Sequence, residues 1–162
     1  YENLVSGAID ATEWVGPWND FFLKLYEAAK FYYWPGFHEP GAQLALGMNK
    51  AWFATVPELD RKLIQIACAE ENAVSMAENN ANNGVYLNRL IDEYGVELRE
   101  FNDDVYDSFA EAAEEVFAGV RAHSPLAKKI DASFVAARKD LGGWSKISDQ
   151  AFLSQRNRAL GL

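Results

Sequence analysis

Two patterns divide this chain. Its first part is broken into short aromatic runs separated by Gly and Pro, and the remainder is long and helical in period. The helical part opens at Val56-Pro57-Glu58, where Pro suits a first turn and Glu58 and Asp60 complement the dipole. Leu59, Leu63, Ile66, Ala73 and Ala77 then recur every three or four positions, and the pattern resumes at Leu87, Leu90, Ile91 and Tyr94 before Gly95 stops it. Between these runs lies NNANNG, residues 79–84, whose asparagines and glycine are poor helix formers. A kink, a bridge or an exposed midsection is expected there. Residues 96–101 (VELREF) predict a short strand. Residues 104–123 predict a helix with Val105, Phe109, Ala112, Val116 and Val120 on one face, capped by Asn102 or Asp103. Ser124-Pro125 starts another, with Leu126, Ile130, Phe134 and Ala137 as its stripe, and Gly142-Gly143-Trp144 predicts a break before a last amphipathic helix over 149–160.

The first part reads differently. Residues 1–6 have the character of a last helical turn ended by Gly7. Residues 8–15 alternate loosely and predict a strand, ended by Gly16-Pro17. Trp18-Asn19-Asp20 reads as a turn in which Asn19 or Asp20 caps a helix over 21–31. Residues 31–34 (FYYW) predict a strand stopped by Pro35-Gly36. Residues 42–48 predict a buried strand, and Asn49 the start of a short helix. Helix dominates, and the few strands are expected to form a small mixed sheet, so the fold class is α/β.

With 162 residues, 49% hydrophobic and 24% charged, the chain has the size and composition of one globular domain. A net charge of -9 argues against nucleic acid, because phosphate binding needs clustered Lys and Arg. No apolar run reaches the length of a membrane span. Cys68, the one cysteine, is expected to be a buried, inert thiol in an apolar helical run.

Candidate chemistry gathers in residues 6–41, which hold Trp14, Trp18 and Trp34. Glu13 offers a carboxylate to a hard cation, with a neighbouring backbone carbonyl as a second oxygen; the competing reading is a solvated carboxylate on an edge strand. The three tryptophans suit either the wall of a ligand pocket or plain core. Asn19 suits a donor to a carboxylate or a helix cap. His38-Glu39 lacks the further ligands a zinc site needs, since His123 is the only other histidine, but Glu39 suits a hard cation as an oxygen ligand. No HExxH, GxSxG, P-loop or CxxC motif occurs. Glu70, Glu71, Glu111, Glu114 and Glu115 are expected on solvated helix faces.

The run SGAIDATEWVGPWND, then YYWPGFHEPG, a long helix led by Pro-Glu, and VELREF together resemble the C-terminal half of a TRAP-transporter solute-binding protein. The resemblance is to the DctP-type extracytoplasmic receptors, nearest the branch that binds 2-oxo acids and lactate. It implies the C-terminal portion of a periplasmic-binding-protein-like two-lobe fold. Residues 6–41 would carry a hinge strand and the cleft, residues 57–94 a lobe-spanning helix, and residues 103–160 the C-terminal helices. It implies that Glu13, the Trp14 backbone and Glu39 hold a sodium or calcium ion. Trp14, Trp18, Asn19 and Phe37 would face a small organic acid. The receptor would be periplasmic and would deliver its ligand to a TRAP membrane permease. The carboxylate-binding arginine of the family would precede Tyr1, since Arg61 is the first arginine here, so the chain is expected to be part of a longer protein. Two further function classes stand beside the receptor: an enzyme using Glu13 and Glu39, and a helical interaction module forming a homodimer through its last helix.

Overall fold

The computed structural model describes residues 1–38, 41–42 and 44–162. In chain order the elements are α1 (Glu2–Val5), α2 (Pro17–Phe22), α3 (Leu25–Ala28), β1 (Phe31–Trp34), α4 (Lys50–Thr55), α5 (Glu58–Asp92), β2 (Glu97–Glu100), α6 (Asp103–His123), α7 (Pro125–Ile147) and α8 (Asp149–Leu160). They fall into two units, Tyr1–Asn102 and Asp103–Leu162.

In the first unit α2 packs against α5, and β1 pairs with β2 in parallel, Phe31 opposite Glu97 and Trp34 opposite Glu100. Aromatic rings join α2 and α3 to the end of α5. Phe21 lies 5.0 Å from Tyr86 and 5.4 Å from Tyr26, and Tyr26 lies 4.2 Å from Tyr94. The Arg89 guanidinium sits 4.6 Å from the Phe21 ring while pairing with Glu93, so its charge is used on two sides. At the end of α5, Gly95 is left-handed (φ +66°), which lets the Gly95 and Val96 amides bond back to the carbonyls of Ile91 and Leu90. Leu90 and Val96 are the buried apolar side chains among the described residues.

Several expected elements differ. Residues 8–15 form no strand: without a partner, loose alternation does not make one. Trp18, Asn19 and Asp20 lie inside α2, whose N-cap is Gly16, so neither Asn19 nor Asp20 is its cap. The single helix expected over 21–31 is split at Leu23-Lys24, with Lys24 left-handed (φ 56°). The described residues of 42–48 carry no strand and are exposed, with Leu44 87% accessible; Gln43 lies outside the described residues. The sheet among the described residues is two parallel strands rather than a mixed one. Cys68 is exposed, not buried. Helix α5 runs unbroken through residues 79–84, and its upper stripe, Leu59, Leu63 and Ile66, is exposed.

In the second unit α6 packs on α7 and α7 on α8. Ser124 caps α7 by accepting from the Ala127 amide at 3.1 Å, with Pro125 at its first position, as the sequence predicts. The expected break at Gly142-Gly143-Trp144 is absent: α7 continues to Ile147, and Ser148 separates it from α8. Phe117, Val120, Ala127, Ile130 and Phe134 line an apolar hollow of about 290 Å³ between α6 and α7. Leu141, Trp144, Ile147 and Phe152 are all more than half exposed.

Candidate functional site

The predicted residues are distributed over a turnless segment, a short helix and the loop after β1. Glu13 and Trp14 lie in the segment before Gly16-Pro17; both are exposed, Trp14 by 54%. That segment is held by a side chain. The Val15 amide donates to Asp20 Oδ1 at 3.4 Å, and the Tyr32 hydroxyl donates to Asp20 Oδ2 at 2.5 Å. Asp20 is thus the shared acceptor of a backbone amide from the segment and a phenol from β1. It is 7% exposed, the one buried charged side chain among the described residues. A buried carboxylate needs such donors, because burial without them is costly.

Tyr32 reports the electrostatics of this corner. Burial raises its pKa most, and the hydrogen bond to Asp20 and the charges of Asp20 and Glu13 raise it further, so the phenol stays neutral and donates. Glu13 therefore lies close enough to act on Tyr32. The structure brings Glu13, Asp20 and Tyr32 into one neighbourhood, a grouping the sequence reading did not make.

The other predicted residues sit as follows. Trp18 and Asn19 are half-buried on α2. The Trp18 amide donates to Asn83 Oδ1 of α5 at 3.1 Å. Asn19 Oδ1 is sealed from solvent with no donor bonded to it. A buried acceptor without a donor calls for a ligand, ion or water. Phe37 is half-buried after β1, and Trp34 is 45% exposed, so the tryptophans at 14 and 34 are surface rather than core. Glu39 lies outside the described residues. Among the described residues no group of three or more His, Cys, Asp or Glu side chains is placed to hold a metal. The donors present, the Glu13 carboxylate and the adjacent peptide carbonyls, are oxygens, which fits a hard cation as a partial set.

Signals for the missed residues existed. An aspartate beside the aromatic run of α2 is a poor helix former with a charge to satisfy. Tyr32 sits between Phe31 and Tyr33 on a strand whose faces alternate.

Residues 1–123 match the family described as bacterial extracellular solute-binding protein, family 7. A monocarboxylate 2-oxoacid-binding periplasmic protein of a Nostoc species is 30% identical over 152 residues, covering 94% of this chain and 42% of that protein. A TRAP transporter solute-binding protein from Bordetella bronchiseptica matches with a TM-score of 0.90 at 26% identity, over 99% of this chain and 48% of the other. It was solved as a dimer with calcium and picolinate in one site and the other site empty. A TRAP periplasmic solute-binding protein from Colwellia psychrerythraea, solved with calcium and pyruvate, matches with a TM-score of 0.90 at 28% identity, over 96% of this chain and 47% of the other. The chain thus spans less than half the length of each of these relatives.

Proposed function

This chain belongs to the bacterial extracellular solute-binding proteins of family 7, and from that membership we propose that it is part of a TRAP-transporter receptor that binds a small 2-oxo or 2-hydroxy carboxylate beside a calcium ion. The family consists of binding proteins of transport systems, not enzymes, which sets aside the enzyme reading. The observation that carries the proposal is the shared fold, at a TM-score of 0.90, with a protein holding calcium and pyruvate. Two such relatives hold calcium, which favours it over sodium.

In this reading Glu13, the Trp14 carbonyl and Glu39 are the cation ligands, and Trp14, Trp18, Asn19 and Phe37 line the acid's site. The exposed Glu13 and the unpartnered Asn19 Oδ1 support it. A bound calcium would supply positive charge to the acid's oxygens. The residues here would orient that ion and shield the acid with aromatic surface. The cleft, the hinge strand and the lobe-spanning role of α5 belong to the same proposal, with residues 6–41, 57–94 and 103–160 as its working parts. So do a periplasmic location and delivery to a membrane permease.

The test is calorimetric titration of pyruvate into the full-length receptor with calcium or chelator. Glu13→Gln and Glu39→Gln should each weaken calcium-dependent binding by at least about tenfold, because site affinity follows ligand charge. Unchanged affinity and unchanged calcium dependence in both variants would reject these ligands. We further propose that copies associate through the C-terminal helices, supported by the exposed Leu141, Trp144, Ile147 and Phe152 and by the dimeric Bordetella relative.

A further inference from the structure

We propose that Asp20 and Tyr32 are positioning residues that hold the Glu13–Trp14 corner in a cation-ready geometry; this rests on the reading of Glu13 as a cation ligand. The reason begins with the segment itself. Residues 8–16 form neither helix nor strand, so no ladder fixes where the Glu13 carboxylate and the Trp14 carbonyl point. The tie nearest to them is the Val15 amide on Asp20 Oδ1 at 3.4 Å, a long bond that is weak alone. It gains from the other end of the same carboxylate. Asp20 Oδ2 accepts from Tyr32 at 2.5 Å, which anchors Asp20 to β1, and β1 is in turn paired with β2. The Trp18 amide on Asn83 Oδ1 at 3.1 Å fixes the same short helix to α5.

Asp20 joins the segment to β1 because one carboxylate can accept from both the Val15 amide and the Tyr32 phenol. Burying that charge costs free energy, which these donors offset. Asp20 is nonetheless buried in a unit whose other buried side chains are Leu90 and Val96. Its negative charge and that of Glu13 both act on Tyr32. The geometry that carries the role is the chain of contacts from β1 through Tyr32 and Asp20 to the Val15 amide, one residue from Trp14. Glu13 itself is exposed. Side chains that orient a metal ligand in this way commonly change metal affinity by about tenfold or more when altered.

The experiment titrates calcium alone, then pyruvate at saturating calcium, into the full-length receptor and its variants. Tyr32→Phe keeps the ring and removes the donor; Asp20→Asn keeps an acceptor for Val15. Each should weaken calcium by about tenfold while pyruvate affinity at saturating calcium moves little. In a Glu13→Gln background Tyr32→Phe should add less than about twofold, since both act through one ligand. Arg89→Gln, which loosens the aromatic cluster of the same unit, should lower Tm and leave calcium affinity unchanged. If Glu13→Gln weakens calcium but Tyr32→Phe and Asp20→Asn do not, or if their effects simply add to it, the positioning role is wrong and the cation ligand stands. If Glu13→Gln has no effect, the cation reading fails and the inference falls with it.

Discussion

Asn83 lies inside the longest helix, yet its side chain serves another one. It accepts from the Trp18 amide at 3.1 Å, in the first turn of α2, where such amides have no partner within their own helix. Gly16 makes room for it: a methyl group at Gly16 would stand 3.2 Å from Asn83 Oδ1. Losing a cap costs about 1 kcal/mol, while exchanging Asn for Ala in a helix interior returns about half of that. Asn83→Ala should therefore lower stability slightly, whereas Ala at the exposed Asn80 should raise it, both read by thermal unfolding. Equal stabilisation by both would show that Asn83 makes no useful contact. The sequence predicts a kink, a bridge or an exposed midsection at NNANNG; α5 runs through it unbroken with Asn80, Ala81 and Gly84 exposed, and what the sequence does not show is the use of Asn83. Helix propensity prices asparagine in an isolated helix and knows nothing of a backbone amide brought against it from another element. The same limit applies to Asp20, read from the sequence as a cap. Its acceptor capacity was legible, but the phenol that uses it was not. The exposure of Glu13 was legible as one of two readings, but the edge strand expected to carry it does not form.

At the scale of elements, period proved more informative than punctuation. The stripes of α6 and α7 and the stop at Gly95 follow from spacing and from the left-handed freedom of glycine. Gly142 and Gly143 do not break α7. Two glycines cost roughly 2 kcal/mol against alanine in a helix, and a helix of 23 residues continues through them. Of the short strands expected, those at 31–34 and 96–101 form and pair with each other, while residues 8–15 and the described residues of 42–48 carry none, because a strand needs a partner edge that no local pattern supplies. The exposed apolar residues of α7 and α8 bear on association. Removing Asp149–Leu162 should convert a concentration-dependent dimer to a monomer in sedimentation velocity. A monomer before truncation, or a dimer after it, would contradict association through these helices.

For the whole molecule, the charge of -9 and the absence of a nucleophile motif narrowed the function classes, and the paired EWVGPWND and YYWPGFHEPG runs identified the family. The family match over residues 1–123 bears that out. The sequence leaves sodium and calcium both open for the proposed cation, and the two solved relatives hold calcium. Much of the apolar surface of α5 is exposed, including Leu59, Leu63, Ile66 and Met76.

The most direct measurement is thermal unfolding of the full-length receptor with pyruvate, in calcium and in chelator. Ligand at about a hundred times its dissociation constant stabilises by about 2.7 kcal/mol, which raises Tm by several degrees for a protein of this kind. Tm should rise with pyruvate in calcium, and the rise should be lost on chelation. A Tm that does not move with pyruvate, lactate or longer 2-oxo acids under either condition would contradict it.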